Sequence, residues 1–316
     1  MIHHISPVQY DYTHGITIFV FGDLQWTDVE SESGERTSTD GFQKEAWAQF
    51  KHEFKSTKNA YALGLGDYGD WLRPSMRSRV QGALSGDDGA RKQLDSSVKH
   101  TTDKLLKHLD FLEKKCIGIH SGHHEWEFSS GDNSTQRIAA ALAAPYLGWI
   151  ASTRLSIVKP RNVAGKKDVY AYTIVSTHGN ANARRVGGTA TWLETNIVSA
   201  FGADQYIMGH GCKNLNFTPS ERNDIRRNGP AGVRTTLPRC LVVGGFSKGY
   251  TDGWNTSYVE RNGFSPQPLG WGKITLRLVQ TKSGAKLIGS KARAVNATTT
   301  IDVDQQNRHP LIHQED

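Results

Sequence analysis

Apolar residues along the chain gather in short runs, and several runs end in a glycine followed by an acid or a histidine. "GITIFVFGD" (15–23) is β-rich and closes on Gly-Asp. "AYALGLGDYGDW" (60–71) closes the same way, and "CIGIHSGHHEW" (116–126) closes on His-His-Glu. Between them, "STDGFQKEAWAQFKHEF" (38–54) and "QLDSSVKHTTDKLLKHLDFLEKK" (93–115) space their apolar residues along one helix face, which predicts two amphipathic helices. "QRIAAALAAPYLGW" (136–149) reads as a third helix with an Ala-rich packing face.

The second half is richer in strands. "TRLSIVKP" (153–160) and "DVYAYTIVSTHGN" (168–180) predict a hairpin around a Gly-Lys-Lys loop, followed by a helix near 189–201. Strands are expected at "QYIMGH" (205–210) and "RCLVVGGF" (239–246), and a closing hairpin at "GKITLRLVQ" (272–280) and "AKLIGSKARAV" (285–295). The stretch 213–237, rich in Asn, Arg, Thr and Pro, reads as a long surface loop, and 26–40 and 73–91 as further loops. Alternating strands and helices followed by strands predict an α/β sandwich of two sheets flanked by helices. No linker interrupts it, so residues 1–296 read as one domain and 297–316 as a polar tail.

Composition sharpens this only a little. The 316 residues, 37% hydrophobic and 22% charged, suit a globular chain with a sizeable core. The formal net charge of +7 favours an anionic partner such as phosphate or nucleic acid, although a solvated basic surface would look the same. Cys116, Cys212 and Cys240 are too few and too irregularly spaced for a disulfide framework, which points to a reducing compartment. The N-terminus lacks the basic and apolar regions of a signal peptide, and no apolar run approaches the ~18–20 residues of a membrane span. A cytoplasmic protein is the expectation.

Five segments deliver acids, histidines or a thiol as a strand ends: Asp23 with Gln25, Asp67 with Asp70, His123-His124-Glu125, His178, and His210 with Cys212. Ligands in open α/β sheets gather at the carboxyl ends of strands, so these segments can converge. Glycine precedes Asp23, Asp67, His123 and His210, which lets the backbone turn and approach a ligand closely. His210 and Cys212 would share a face if the chain is still extended there, and imidazole and thiolate both bind transition metals.

In motif order the chain resembles the calcineurin-like metallophosphoesterases, whose set is D-x-H, G-D-x-x-D, G-N-H-E/D, a lone His, and G-H-x-H. The stretches here are "GDLQ" (22–25), "GDYGD" (66–70), "GHHE" (122–125), "STHGN" (176–180) and "GHGC" (209–212). The segment before the last motif is similar to phosphoesterases of bacteriophages and mobile elements. The resemblance implies a four-layer α/β/β/α sandwich and two divalent metal ions. Asp67 would bridge both ions; His123, His178 and His210 would hold one, and Asp23 with Gln25 and Cys212 the other. His124 would contact the phosphate and assist the leaving group, Glu125 would orient its neighbour, and Asp70 would fix the loop. Arg184 and Arg185, after "THGNAN", could clamp phosphate or simply be solvated.

His123 stands where the family has Asn, while Gln25 and Cys212 stand where it has His. Mn²⁺ is the first expectation for the metal, with Zn²⁺ or Fe²⁺ compatible with a Cys212 thiolate, and the ion beside Gln25 is expected to be weakly held or absent. Three functions follow. The first is a phosphodiesterase of nucleic acid or nucleotides using a metal-activated water; the others are a phosphomonoesterase and a non-catalytic member that binds nucleic acid or a partner.

Overall fold

The computed structural model describes residues 2–9, 15–26, 42–71, 80, 82–83, 86–158, 169–180, 185–211, 213–220, 222–225, 233–236, 238–250, 260, 263, 268–281 and 284–297. One six-stranded sheet runs in the order β14 (Gly284–Asn296), β13 (Gly270–Thr281), β2 (Ile16–Phe21), β3 (Ala60–Gly64), β4 (Cys116–His120), β5 (Tyr146–Gly148). The other runs β1 (Ile2–Gln9), β6 (Ile150–Val158), β7 (Val169–Thr177), β8 (Gln205–Met208), β12 (Arg239–Val242), β9 (Leu215–Phe217). A separate two-stranded ribbon pairs β10 (Arg222–Ile225) with β11 (Val233–Thr236).

Alternation along the strands stacks these sheets. In β2, Ile16, Ile18 and Val20 join the cluster between the sheets, with Leu155, Ile174, Ile207 and Leu241 from the opposite sheet. Phe19 and Phe21 point the other way, into a cluster built with the helices. Successive side chains of a strand face opposite sides, so a strand buried on both faces reads as a continuous apolar run, as "ITIFVF" does. The same alternation in β12 sends Leu241 inward and Cys240 and Val242 outward. Cys240 and Cys116 are both buried free thiols.

Helices cover both outer faces. Helix α1 (Lys44–Ser56) buries Ala46, Trp47, Phe50 and Phe54, a helical i, i+4, i+8 stripe. Helix α2 (Asp88–Leu109) is capped by the Asp87 carboxylate, which accepts the Ala90 N–H, and buries Leu105 and Leu109 in the same cluster. Helix α3 (Ser134–Ala141) begins with a capping box between Asn133 and Gln136 and adds Ile138 and Ala139. On the far sheet, helix α4 (Val186–Leu193) runs into a π-helical turn, Glu194–Val198, whose Leu193, Ile197 and Val198 pack on Tyr206, Met208, Cys240 and Val242. The expected four-layer α/β/β/α sandwich is therefore the observed one.

Several boundaries differ from expectation. Helix α1 starts at Lys44, not Ser38: Phe42 bridges Ser247 and the Gln43 N–H donates to the Phe246 carbonyl, which keeps both residues extended. Residues 38–41 lie outside the described residues. The stretch 136–149 is helical only to Ala141, because Ala143 turns to φ +52° and Pro145 disfavours helix at the residue before it; 146–148 form β5 instead. The expected loop 213–237 contains β9, β10 and β11, and β1, which pairs in parallel with β6, was not expected at all. Residues 298–316 of the expected tail, 27–41, and 72–79 lie outside the described residues. No helix among the described residues is long and apolar enough to cross a membrane.

Phe50 is fully buried and lies within 6.2 Å, ring to ring, of Phe19, Phe21, Trp47, Phe54, Phe111, Phe246 and Trp271. Phe50→Ala is expected to lower stability by about 3–5 kcal/mol, read from urea unfolding midpoints.

Candidate metal centre

Strand direction brings the predicted segments together. β2, β3 and β4 run parallel in one sheet, and β7 and β8 run parallel in the other, so their carboxyl ends share one edge of the sandwich. Asp67, His123, His178 and His210 meet there, with one ligating atom of each within 4.8 Å of all the others. The imidazole rings lie face to flank, with centroids 4.9 Å apart for His123 and His178 and 4.2 Å for His123 and His210.

Each donor is aimed by a neighbour. His178 is fully buried, and its Nδ1 lies 2.6 Å from the Leu65 carbonyl oxygen. A carbonyl only accepts, so Nδ1 carries a proton and Nε2 faces the cluster, 3.2 Å from Asp67 Oδ2 and 3.0 Å from His123 Nδ1. The other Asp67 oxygen accepts the His124 N–H at 2.9 Å. His124 turns its Nδ1 to Asp70 Oδ1, 2.8 Å away, so Asp70 helps to orient this ring. Glu125 is half-buried in the same turn.

Asp23 stands beside the cluster, 1% exposed, where its Oδ2 accepts the His210 N–H at 3.0 Å. Gln25 is joined to Asp67 through the backbone, its N–H donating to the Asp67 carbonyl at 2.9 Å. Arg185 is the exposed residue preceding α4. Cys212 and Arg184 lie outside the described residues.

The expected role of glycine is redistributed. Of the preceding glycines 22, 66, 122 and 209, only Gly66 has positive φ; Asp23, Gln25, Asp67 and His210 themselves adopt φ between 45° and 54°. Gly122 serves close approach, since a Cβ there would lie 2.1 Å from Asp67 Oδ1 and 2.4 Å from its backbone nitrogen.

Two neighbours escaped the sequence reading. The turn after β12 reaches the site, with the Phe246 N–H donating to the Asp23 carbonyl at 3.0 Å. Its signal was the double glycine of "VVGGF", where a Cβ on Gly245 would lie 2.7 Å from Asp23 Cβ. Trp149, read as a helix end, packs its ring on His123 and His178 with centroids 4.7 and 5.4 Å away.

Burial and mutual charge set the protonation states. Burial works against the charge on Asp67, but the charge and hydrogen bond of His178 outweigh it and hold this carboxyl well below its usual range. For His178 burial likewise opposes the charge, yet Asp67 and then Asp23 raise it to about 9. Burial pushes the Asp23 carboxyl up to about 6 despite the pull of His178, and Asp67 adds to the rise. His210 is pushed down to about 3, by burial first and then by His178 and His123.

This donor set fits a divalent transition ion. Three imidazoles and one carboxylate bring one ligating atom each within 4.8 Å of all the others, a nitrogen-rich set that a transition ion would suit once His178 gives up its Nε2 proton. No protein-family model and no curated protein sequence matches the chain. Among solved structures it is similar to the calcineurin-like phosphoesterase YfkN of Bacillus subtilis, at 13% identity and TM-score 0.39 over 89% of this chain and 90% of that one. It is similar also to a Staphylococcus aureus protein described as a candidate 5′-nucleotidase, at 11% identity and TM-score 0.40 over 92% of this chain and 57% of that one. Chaetomium thermophilum Vps29 matches at 11% identity and TM-score 0.32, over 90% of this chain and 100% of that one. The chain thus spans little more than half of the Staphylococcus aureus protein, and the chemistry of the site is argued from its own geometry.

Metal must displace the protons these groups hold. With His178 at about 9 and Asp23 at about 6, Mn²⁺ affinity is expected to rise from pH 6 to pH 9, while Asp67 and His210 already present lone pairs at neutral pH. Calorimetric titration in buffers of different ionisation enthalpy at pH 7.5 is expected to count about one proton released per ion. Gly122→Ala, which forces Asp67 aside, is expected to weaken Mn²⁺ binding about 10–100-fold in the same titration.

Proposed function

We propose that the chain is a metal-dependent phosphoesterase acting on phosphodiester bonds of nucleic acid or nucleotides. The observation that carries this reading is the convergence of Asp67, His123, His178 and His210 from four separate strand ends onto one point. In this reading these four would hold one divalent ion, Mn²⁺ by first assignment. Asp23, with Gln25 and Cys212 where two histidines would serve better, would offer a second and weaker position, with Asp67 as a donor common to both. Bound divalent ions would neutralise the anionic oxygens of the ester and acidify the attacking water.

The remaining work falls to the chain. His124 donates its Nδ1 proton in a hydrogen bond to Asp70, which leaves Nε2 facing outward; in the doubly protonated ring, Nε2–H would be the donor to the leaving oxygen. Its backbone N–H meanwhile holds Asp67, which couples the proton donor's position to that of the carboxylate. Arg184 and Arg185 are proposed to meet the phosphate on the side of α4. The net charge of +7 supports a polyanionic substrate over a small neutral one.

The test is hydrolysis of bis(p-nitrophenyl) phosphate by metal-stripped protein resupplied with Mn²⁺, with p-nitrophenyl phosphate as the monoester comparison. Metal-dependent turnover that favours the diester is expected, and Asp67→Asn is expected to abolish it. His124→Ala is expected to lower kcat by about 10²–10⁴ while Mn²⁺ binding is retained. Faster monoester turnover would assign a phosphomonoesterase. No turnover of either with Mn²⁺, Zn²⁺ or Fe²⁺ under reducing conditions would leave the non-catalytic binder.

A further inference from the structure

Trp149 spends its surface differently from the four tryptophans of the core. Trp26, Trp47, Trp126 and Trp271 are at most 5% exposed, as packing residues should be, whereas Trp149 is 36% exposed. Its backbone is nevertheless closely held. The preceding Gly148 turns at φ +65°, and its carbonyl accepts the Ser121 N–H at 3.1 Å and lies 2.9 Å from His120 Nδ1. The Trp149 carbonyl accepts the His178 N–H at 3.3 Å, and the next residue, Ile150, opens β6 in register with Thr177. The backbone that carries the indole is thus tied to both sheets, at the point where each sheet contributes a histidine to the cluster. It meets His123 and His178 nearly edge to face, at 87° and 78°, while much of its surface remains in water.

A part-exposed indole on a closely held backbone, one ring away from the donors, is poorly explained by packing alone. Leaving that much apolar surface in water forgoes hydrophobic stabilisation, and a platform whose backbone is already placed suits recognition of something that arrives later. Every nucleobase offers a π-face, and stacking on an aromatic side chain tolerates any base. We propose that Trp149 is a stacking platform for a nucleobase joined through its sugar to the phosphate that a metal-loaded cluster would hold. This assignment rests on the phosphoesterase reading and deepens it, because it names the group beside the reacting ester and makes Trp149 a specificity-determining residue that touches substrate. Either a free nucleotide or an unpaired base of a single strand supplies the chemistry.

The test compares ligands that share a phosphate and a sugar and differ in the base. The full-length protein with Mn²⁺ is titrated with adenosine 5′-monophosphate and with ribose 5-phosphate, by calorimetry and by tryptophan fluorescence. The unsubstituted protein is expected to bind the nucleotide about tenfold more tightly than the base-free sugar phosphate, with quenching of indole fluorescence. Trp149→Leu is expected to remove that preference while ribose 5-phosphate binds as before. Trp149→Phe is expected to keep most of the preference and lose the quenching, which controls for a leucine variant that folds poorly. Displacement of the nucleotide by single-stranded oligothymidylate would name the strand as the source, and failure to displace would name the free nucleotide. Equal affinity of the unsubstituted protein for both ligands, or no binding of the nucleotide, overturns the proposal. So does a loss in Trp149→Leu that is equal for both ligands, which would make the indole only a support for His123. Base preference is read here without turnover, so a protein that shows it but cleaves no diester would overturn the catalytic reading and leave this one standing.

Discussion

A carboxylate taken out of water must find a positive charge or hydrogen-bond donors, and the buried carboxylate of Asp67 finds them on the opposite sheet. His178, at the end of β7, faces it with Nε2 and reaches back with Nδ1 to the carbonyl of Leu65, two residues before Asp67. The pair therefore clasps the two sheets at the edge where the other donors gather. Removing one partner of such a buried pair leaves the other uncompensated, at a cost of about 3–5 kcal/mol. The apolar cluster between the sheets supplies adhesion without direction; this clasp sets how the two strand ends face each other.

The clasp also explains why strain collects at this edge. Of the seven non-glycine residues with positive φ among the described residues, four are Asp23, Gln25, Asp67 and His210. Each costs about 1–3 kcal/mol and persists only where its surroundings over-determine it. They do so here: Asp23 donates its N–H to the Gly66 carbonyl and accepts from Phe246 at its own carbonyl, and Gln25 donates to the Asp67 carbonyl. The exits of β2 and β3 thus run as a tied pair before turning. The left-handed residues break each strand's alternation at its exit, where the Asp23 carboxylate accepts the His210 N–H and the Asp67 carboxylate meets His178.

Much of this was legible because both signals were periodic or ordered. Strands buried on both faces read as continuous apolar runs, and α1 and α2 carry a helical stripe, so the layers followed from pattern. The site followed from five polar residues or groups in chain order at strand ends. What was lost had a different physical origin. β9, β10 and β11 are only three or four residues long, too short to show a periodicity, and exist through their pairing: β9 with β12, and β10 with β11. The start of α1 depends on a bond from Gln43 to Phe246, some two hundred residues away in sequence. Trp149 was hidden by its neighbours, since an Ala-rich run before it looked helical until Pro145. Its role depends on which rings it meets, and single-residue context carries none of that.

Donors are unevenly shared along this edge. His123 lies inside the four-donor cluster, with its ring centroid 4.9 Å from that of His178 and 4.2 Å from that of His210. Gln25, two residues past Asp23, gives its backbone N–H to the Asp67 carbonyl. Three imidazoles and one carboxylate thus gather at one point, where His178 is aimed by the Leu65 carbonyl and Asp67 by the His124 N–H. Under the proposed function this favours a site organised around one firmly held transition ion, with Asp23 kept ionisable and close enough to feel the charges of His178 and Asp67. Retaining a buried, strained carboxylate at that position would be costly in a chain that used only the first ion. Under the proposed function, that cost would be offset if Asp23 served a second, weaker position beside the first.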